Sequence, residues 1–264
     1  MVKITVLNDD RNDNCDLESE HGFSIHVNVD NKSFLMDVGQ SEIFMNNANK
    51  LGINLDEVKA ILLSHGHYDH GNGLKYFNRH IKLVMHPDCT LNRISKRSGS
   101  YGGLNLSLEE LNDRFELVVT KDICEVFDGV YFLGEIERSN DYEAKSFPMV
   151  DEQGNEDITL DDSGCVIKTV DGIIVISGCA HSGICNTIEY AKKVTGIDKV
   201  LAVFGGFHLK VVDEMCRKTI DYLKDNDVKN IYMGHCTSNV VCEEFVNCIG
   251  DKVNIIKVGK EYSF

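Results

Sequence analysis

One stretch constrains this chain more than any other: Ser64-His65-Gly66-His67-Tyr68-Asp69-His70-Gly71-Asn72-Gly73, directly after the apolar run Ala60-Ile61-Leu62-Leu63. A continuous apolar run of this length suits a strand covered on both faces. The polar stretch therefore starts where a buried strand ends. In an extended segment His65 and His67 project to the same side and can grip one ion. If the chain then turns into a helix, Asp69 and His70 reach a neighbouring position. Imidazole and carboxylate donors suit zinc first, and also iron or manganese. Two such ions about 3.5–4 Å apart can share a hydroxide that acts as nucleophile. The plain alternative is a polar loop that happens to contain histidines. Three imidazoles and a carboxylate at this spacing, beside a buried strand, argue against it.

The rest of the chain reads as alternating strands and helices. Phe23–Val29 alternates apolar and polar residues, and Asp30-Asn31-Lys32 turns the chain into Phe34-Leu35-Met36. A helix is expected from about Ser41, as N-cap, to Gly52, as its stop. Cys165–Thr169, an Asp171-Gly172 turn and Ile173–Ile176 read as a hairpin. A helix follows with Ile184, Ile188, Ala191 and Val194 near one face. Val200–Phe204 and Asn230–Met233 read as strands that each lead into a helix. Hairpins combined with β-α alternation predict an α/β fold with two sheets between outer helical layers. The polar region from about residue 137 to 162 reads as a long loop. No repeat, linker or low-complexity stretch divides the chain, so residues 1–264 are read as a single domain.

Composition narrows the partners. The chain has 27 basic and 42 acidic residues, a formal charge of −15, and such a surface repels nucleic-acid backbones and anionic membranes. No apolar run approaches the ~18 residues needed to span a bilayer, and the N-terminal segment is too short and too acidic for a signal peptide. The ten cysteines lack framework spacing and several lie in apolar runs, as Cys165 does before Val166-Ile167, so they read as thiols in a reducing cytosol. The expectation is a cytoplasmic protein whose partner is a small-molecule substrate, with neither nucleic acid nor membrane. Its oligomeric state is not legible.

The segment His65-x-His67-x-Asp69-His70 after an apolar strand resembles the signature of the metallo-β-lactamase superfamily. Leu35-Met36-Asp37-Val38-Gly39-Gln40 resembles that family's upstream Asp-x-Gly element, whose aspartate supports the metal loop. Gly178-Cys179-Ala180-His181-Ser182-Gly183, Gly205-Gly206-Phe207-His208-Leu209 and Gly234-His235-Cys236-Thr237 resemble one branch of it. That branch holds the dihydropterin-ribofuranosylaminobenzene-phosphate synthases of methanopterin biosynthesis and uncharacterised bacterial relatives. The resemblance implies a four-layer αββα sandwich with two divalent metal ions, zinc first and iron or manganese next. It implies metal ligands at His65, His67, Asp69, His70, His181 and His235.

The residues agree with that implication in part. His181, His208 and His235 each follow an apolar strand at a glycine-containing turn, where side chains from several strand ends can meet. His208 is read as a proton donor or substrate contact, and Asp69 as a ligand that also orients the nucleophile. The chain departs from the common family pattern at two places. Leu160-Asp161-Asp162-Ser163-Gly164 stands where many relatives carry a histidine, and Cys179 stands at the position of a bridging aspartate. His181 is the preferred ligand there, with Asp162 and Cys179 as second choices. His21, His26, His80 and His86 are read as structural or solvent-facing.

Arg93-Ile94-Ser95-Lys96-Arg97-Ser98-Gly99-Ser100-Tyr101 gathers three cations near glycines. It reads either as a clamp for an anionic substrate with Tyr101 stacking on a ring, or as a solvated surface loop. The leading functional expectation is a hydrolase that attacks a small phosphorylated or cyclic ester with a metal-held hydroxide. The alternative is an aryl transferase acting on a pterin diphosphate, as in the methanopterin-type synthases. A non-catalytic metal-stabilised binding module is a third class.

Overall fold

The structure is a computed structural model that describes residues 1–145 and 147–264. It divides into two compact units, each assembled from separated stretches of chain. Unit 1 comprises Met1–Lys121, Phe147–Asp161 and Lys257–Phe264, and unit 2 comprises Asp122–Ser146 and Asp162–Ile256.

Unit 1 is built on a seven-stranded sheet in the order Glu261–Ser263, Val2–Asn8, Ser24–Val29, Lys32–Met36, Val58–Leu62, Lys82–Met85, Glu116–Val119. The first three pairings are antiparallel and the last three parallel. The sequence patterns explain this order. The alternating Ser24–Val29 segment pairs with Lys32–Met36 through the tight Asp30-Asn31 turn, where both residues take positive φ. Ala60, Ile61, Leu62 and Leu63 are all fully buried, as the unbroken apolar run required. Helix Ile43–Lys50 packs Phe44 and Ala48 into a core with Leu35, Ile61 and Leu83. The N-cap is Glu42, one residue after the expected Ser41, whose hydroxyl nonetheless accepts the Ile43 N–H at 3.3 Å. Its stop is as expected: Gly52, just past the last helical residue, takes a left-handed φ of +72°.

Unit 2 repeats the design: Val253–Ile255, Asn230–Met233, Val200–Gly205, Gly172–Ser177, Gly164–Thr169, Val130–Phe132, Cys124–Phe127. Here the first three pairings are parallel and the rest antiparallel. Helices Ile184–Thr195, Glu214–Asp225 and Asn239–Ile249 lay Ile184, Ile188, Ile220, Leu223, Val241 and Phe245 on Val166, Val175, Val203 and Ile231 of one sheet face. Each helix start has its amides met. Glu143 accepts the N–H groups of Cys185 and Asn186 at 2.9 Å each, and Asp213 and Ser238 cap the next two helices.

The region 137–162 is less loop-like than expected. It carries a short strand, Met149–Val150, paired with Ile94–Ser95, and it buries Glu143, Thr159 and Asp161. Residue 146, within it, lies outside the described residues. No helix among the described residues is long and apolar enough to cross a membrane.

Candidate functional site

In both units the chemistry lies at the carboxyl ends of parallel strands, where open α/β sheets place their ligands. In unit 1 the Lys32–Met36 and Val58–Leu62 strands run side by side, with Met36 opposite Leu62. Asp37 follows the first with a φ of +57°, and Ser64-His65 follows the second after Leu63. The buried Asp37 carboxylate accepts the Ser64 N–H and the Ser64 hydroxyl, both at 2.7 Å. Its Oδ2 also lies 2.7 Å from His70 Nδ1. Ser64 Oγ, its proton committed to Asp37, lies 2.8 Å from His65 Nδ1 and accepts from it. Both Nδ1 atoms therefore carry protons, and the lone pairs of His65 and His70 are on Nε2. Such hydrogen bonds fix tautomer and ring orientation in metal-binding histidines.

The remaining donors close in on the same place. His65 Nε2 lies 3.0 Å from His67 Nδ1, and the His65 ring lies 4.2 Å from that of His70, centroid to centroid. The expected turn into a helix is a single one, Tyr68–Gly71, and it brings Asp69 Oδ2 to 3.7 Å from His70 Nε2. Burial, followed by the positive charge of Arg93, holds the His67 pKa down to about 3, so this imidazole is neutral with a lone pair to give. Imidazoles and a carboxylate converging in this way fit a divalent cation by donor chemistry.

A second network shapes the loop from below. Arg93 is 1% exposed, and it binds Asp157 through Nε at 2.5 Å and Asp161 through Nη2 at 2.6 Å. The other Asp161 oxygen accepts the Gly66 N–H at 2.7 Å. Burial pushes the Asp161 carboxyl up, while Arg93 and the Gly66 amide pull it down. Gly66 can only be glycine: a Cβ there would lie 1.9 Å from the Cys89 carbonyl oxygen. Of the two readings of the cationic segment, these contacts favour the surface loop over the anion clamp, with Lys96 and Arg97 exposed. Arg93 is enclosed and paired, Lys96 is paired with Glu156, and the Tyr101 hydroxyl is engaged by Asn92 and the Leu104 carbonyl.

His21, read from sequence as structural or solvent-facing, is exposed and lies between two carboxylates, with Nδ1 2.7 Å from Asp10 and Nε2 3.3 Å from Asp69. His26, half-buried in its strand, and His86, whose Nδ1 accepts the Asp88 N–H at 3.1 Å, match the structural reading.

In unit 2 the strands Gly172–Ser177, Val200–Gly205 and Asn230–Met233 are consecutive and parallel. Their ends continue in step, with Gly206 N–H donating to Gly178 and Gly234 N–H to Gly205. Each end then takes a left-handed residue that is not glycine: Ala180 at +54°, His208 at +50° and His235 at +44°. Backbone strain of this kind gathers at functional sites. The rings of His181 and His208 lie 4.3 Å apart. The second-choice ligand Asp162 accepts the Ser182 N–H at 2.8 Å. Cys179, His208 and Cys236 bring one ligand atom each within 4.8 Å of one another. Burial pushes the Cys236 thiol up, but interactions with Cys179, His208 and the charge of His235 outweigh it and hold the thiol well below its ordinary range.

Comparison with known proteins agrees with this geometry. Residues 20–235 match the metallo-beta-lactamase superfamily. The chain is 34% identical to the 7,8-dihydropterin-6-methyl-4-(beta-D-ribofuranosyl)-aminobenzene-5'-phosphate synthase of Methanocaldococcus jannaschii, over 92% of each chain. An uncharacterised protein of the same organism is 33% identical over 83% of this chain and 84% of its own. Among solved structures, Tm1679, described as a metal-dependent hydrolase of the beta-lactamase superfamily, superposes with a TM-score of 0.87 at 29% identity, covering 100% of this chain and 99% of its own.

Proposed function

The chain belongs to the metallo-β-lactamase superfamily, and from that premise we propose that it is a metal-dependent hydrolase of a small phosphorylated or cyclic ester. One observation carries this reading. Asp37 and Ser64 fix the protons of His70 and His65 on Nδ1, so that the two rings turn Nε2 toward Asp69 and His67, where an ion would be held. Ligand roles are proposed for His65, His67, Asp69 and His70, and for His181 and His235, with two divalent ions, zinc first and iron or manganese next.

A divalent ion held by these residues supplies Lewis acidity toward the scissile ester and lowers the pKa of water. The chain's own groups do the rest. Asp69 orients the attacking water as well as ligating, and His21, 3.3 Å from its carboxylate, sets that carboxylate's direction. His208 is the proposed proton donor to the leaving group: it is only partly enclosed, so a substrate can reach it. The proposed setting is cytoplasmic, with one small-molecule substrate and neither nucleic acid nor membrane as partner. The test is chelation and reconstitution. Phosphoesterase activity should vanish in metal-free protein and return with zinc or manganese, and activity untouched by chelation refutes the reading.

A second reading is favoured by the 34% identity to a protein named as a synthase. In it the same residues serve transfer of a pterin-methyl group from its diphosphate to an aryl acceptor. Incubation of the pterin diphosphate with and without that acceptor separates the two. Diphosphate release only in the presence of the acceptor supports transfer, and release without it supports hydrolysis.

A further inference from the structure

The proposed function draws on only one member of the cluster Cys179, His208 and Cys236, leaving two enclosed thiols beside an imidazole with no role. We propose that these three side chains form a sulfur-containing binding site for one thiophilic divalent cation, such as zinc or cadmium, in addition to the imidazole–carboxylate ligands.

The three donors come from the ends of three neighbouring parallel strands, so their placement is set by the sheet rather than by a mobile loop. Their ligand atoms all lie within 4.8 Å of one another. Tetrahedral zinc with sulfur at about 2.3 Å and nitrogen at about 2.0–2.1 Å holds its donors roughly 3.5–3.8 Å apart. Binding would require the three donors to draw together by side-chain rotation. Two thiolates and one imidazole form a soft donor set, which selects zinc or cadmium over magnesium or calcium.

Three further features fit an ion better than plain packing. His208 Nδ1 is buried without a hydrogen-bond partner among the described residues, a costly state for a ring nitrogen that a metal would relieve. The His208 amide N–H reaches Cys236 Sγ at 3.3 Å, a bond that stabilises a thiolate and persists when the sulfur binds a metal. Gly206 keeps the space open, since a Cβ there would lie 2.5 Å from Cys236 Sγ and 3.5 Å from the Cys179 Cα. Cys179 and Cys236 are 3% and 5% exposed, and His208 is the more accessible member, so a fourth coordination position opens on its side. Binding sends any proton still on the sulfurs to solvent and occupies an imidazole lone pair. On the proton-donor role given above to His208, an excess of a thiophilic ion should therefore depress turnover.

The test uses the whole protein, stripped by chelation and reloaded with cobalt or with zinc. Cobalt-loaded protein should show a near-ultraviolet thiolate-to-cobalt charge-transfer band. X-ray absorption of the zinc-loaded wild type should show a sulfur shell at about 2.3 Å. The band should disappear in Cys179→Ser and in Cys236→Ser. It should persist in His67→Ala and in Cys185→Ser, which removes another buried thiol of the same unit. A wild-type spectrum with no sulfur shell overturns the proposal whatever the variants do. So does a band that survives both substitutions, or a disulfide between the two cysteines detected as two missing thiols in unreduced protein. Retention of the band in His67→Ala also separates this site from the hydrolase reading, which that substitution attacks.

Discussion

Asp37 Oδ2 lies 2.7 Å from His70 Nδ1, and both side chains are fully excluded from solvent. The same carboxylate takes the amide and hydroxyl of Ser64, so one residue at a left-handed φ governs the protonation pattern of two imidazoles. On the proposed function Asp37 is a positioning residue: it holds the rings and turns their other nitrogens to the proposed ion.

Asp37→Ala should therefore weaken zinc binding by about 10–100-fold, the usual effect of removing such a partner. Competition with a chromophoric chelator measures it. Asp37→Asn keeps an acceptor but loses the charge, and should fall between the wild type and the alanine variant. Unchanged affinity in Asp37→Ala contradicts the role given to it.

Arg93 should be a stability residue. Arg93→Met leaves the Asp157 and Asp161 carboxylates enclosed without their cation, which costs about 3–5 kcal/mol in comparable buried pairs. Urea unfolding reads this directly. Adding Asp161→Asn to the same protein should recover part of the loss, because the amide oxygen can still accept the Gly66 N–H. A loss under about 1 kcal/mol would place the pair outside the buried class.

His67 predicts a pH dependence in metal-free protein. Its imidazole takes up a proton near 6.5 in the unfolded chain and near 3 in the fold. Between those values the unfolded state binds the extra proton, so this group makes stability fall as pH is lowered, by about 1.4 kcal/mol per unit. Above pH 6.5 it contributes no slope. His67→Asn should flatten the acid limb by roughly one proton in urea midpoints measured between pH 7 and pH 4. Parallel acid limbs for variant and wild type would show that His67 titrates normally.

Much of this was legible in the sequence because local pattern carried it. The buried Ala60–Leu63 strand, the single turn at Tyr68–Gly71, the Gly164–Ser177 hairpin and the glycine-containing strand ends were all written in short-range periodicity and turn residues. What was missed is tertiary. Arg93 was grouped with its neighbours Lys96 and Arg97 as a cation cluster, whereas its true partners lie 64 and 68 residues further along the chain. His21 meets Asp69 only because the segment before Ser24 folds against the loop after Leu63, where the Phe23 N–H donates to the Asp69 carbonyl at 3.2 Å. Cys179 is a second-choice ligand on sequence and Cys236 has no role there, since only the strand order Asn230–Met233, Val200–Gly205, Gly172–Ser177 makes them neighbours. Pairing of this kind has no local signature.

The most direct test of the account is metal content by elemental analysis, on protein purified without an affinity metal, beside His67→Ala and His181→Ala. The account predicts at least about two equivalents of zinc, iron or manganese in the wild type, as a shared-nucleophile site requires, and less in each variant. A wild type that holds no metal, or variants that hold as much as it does, would contradict it.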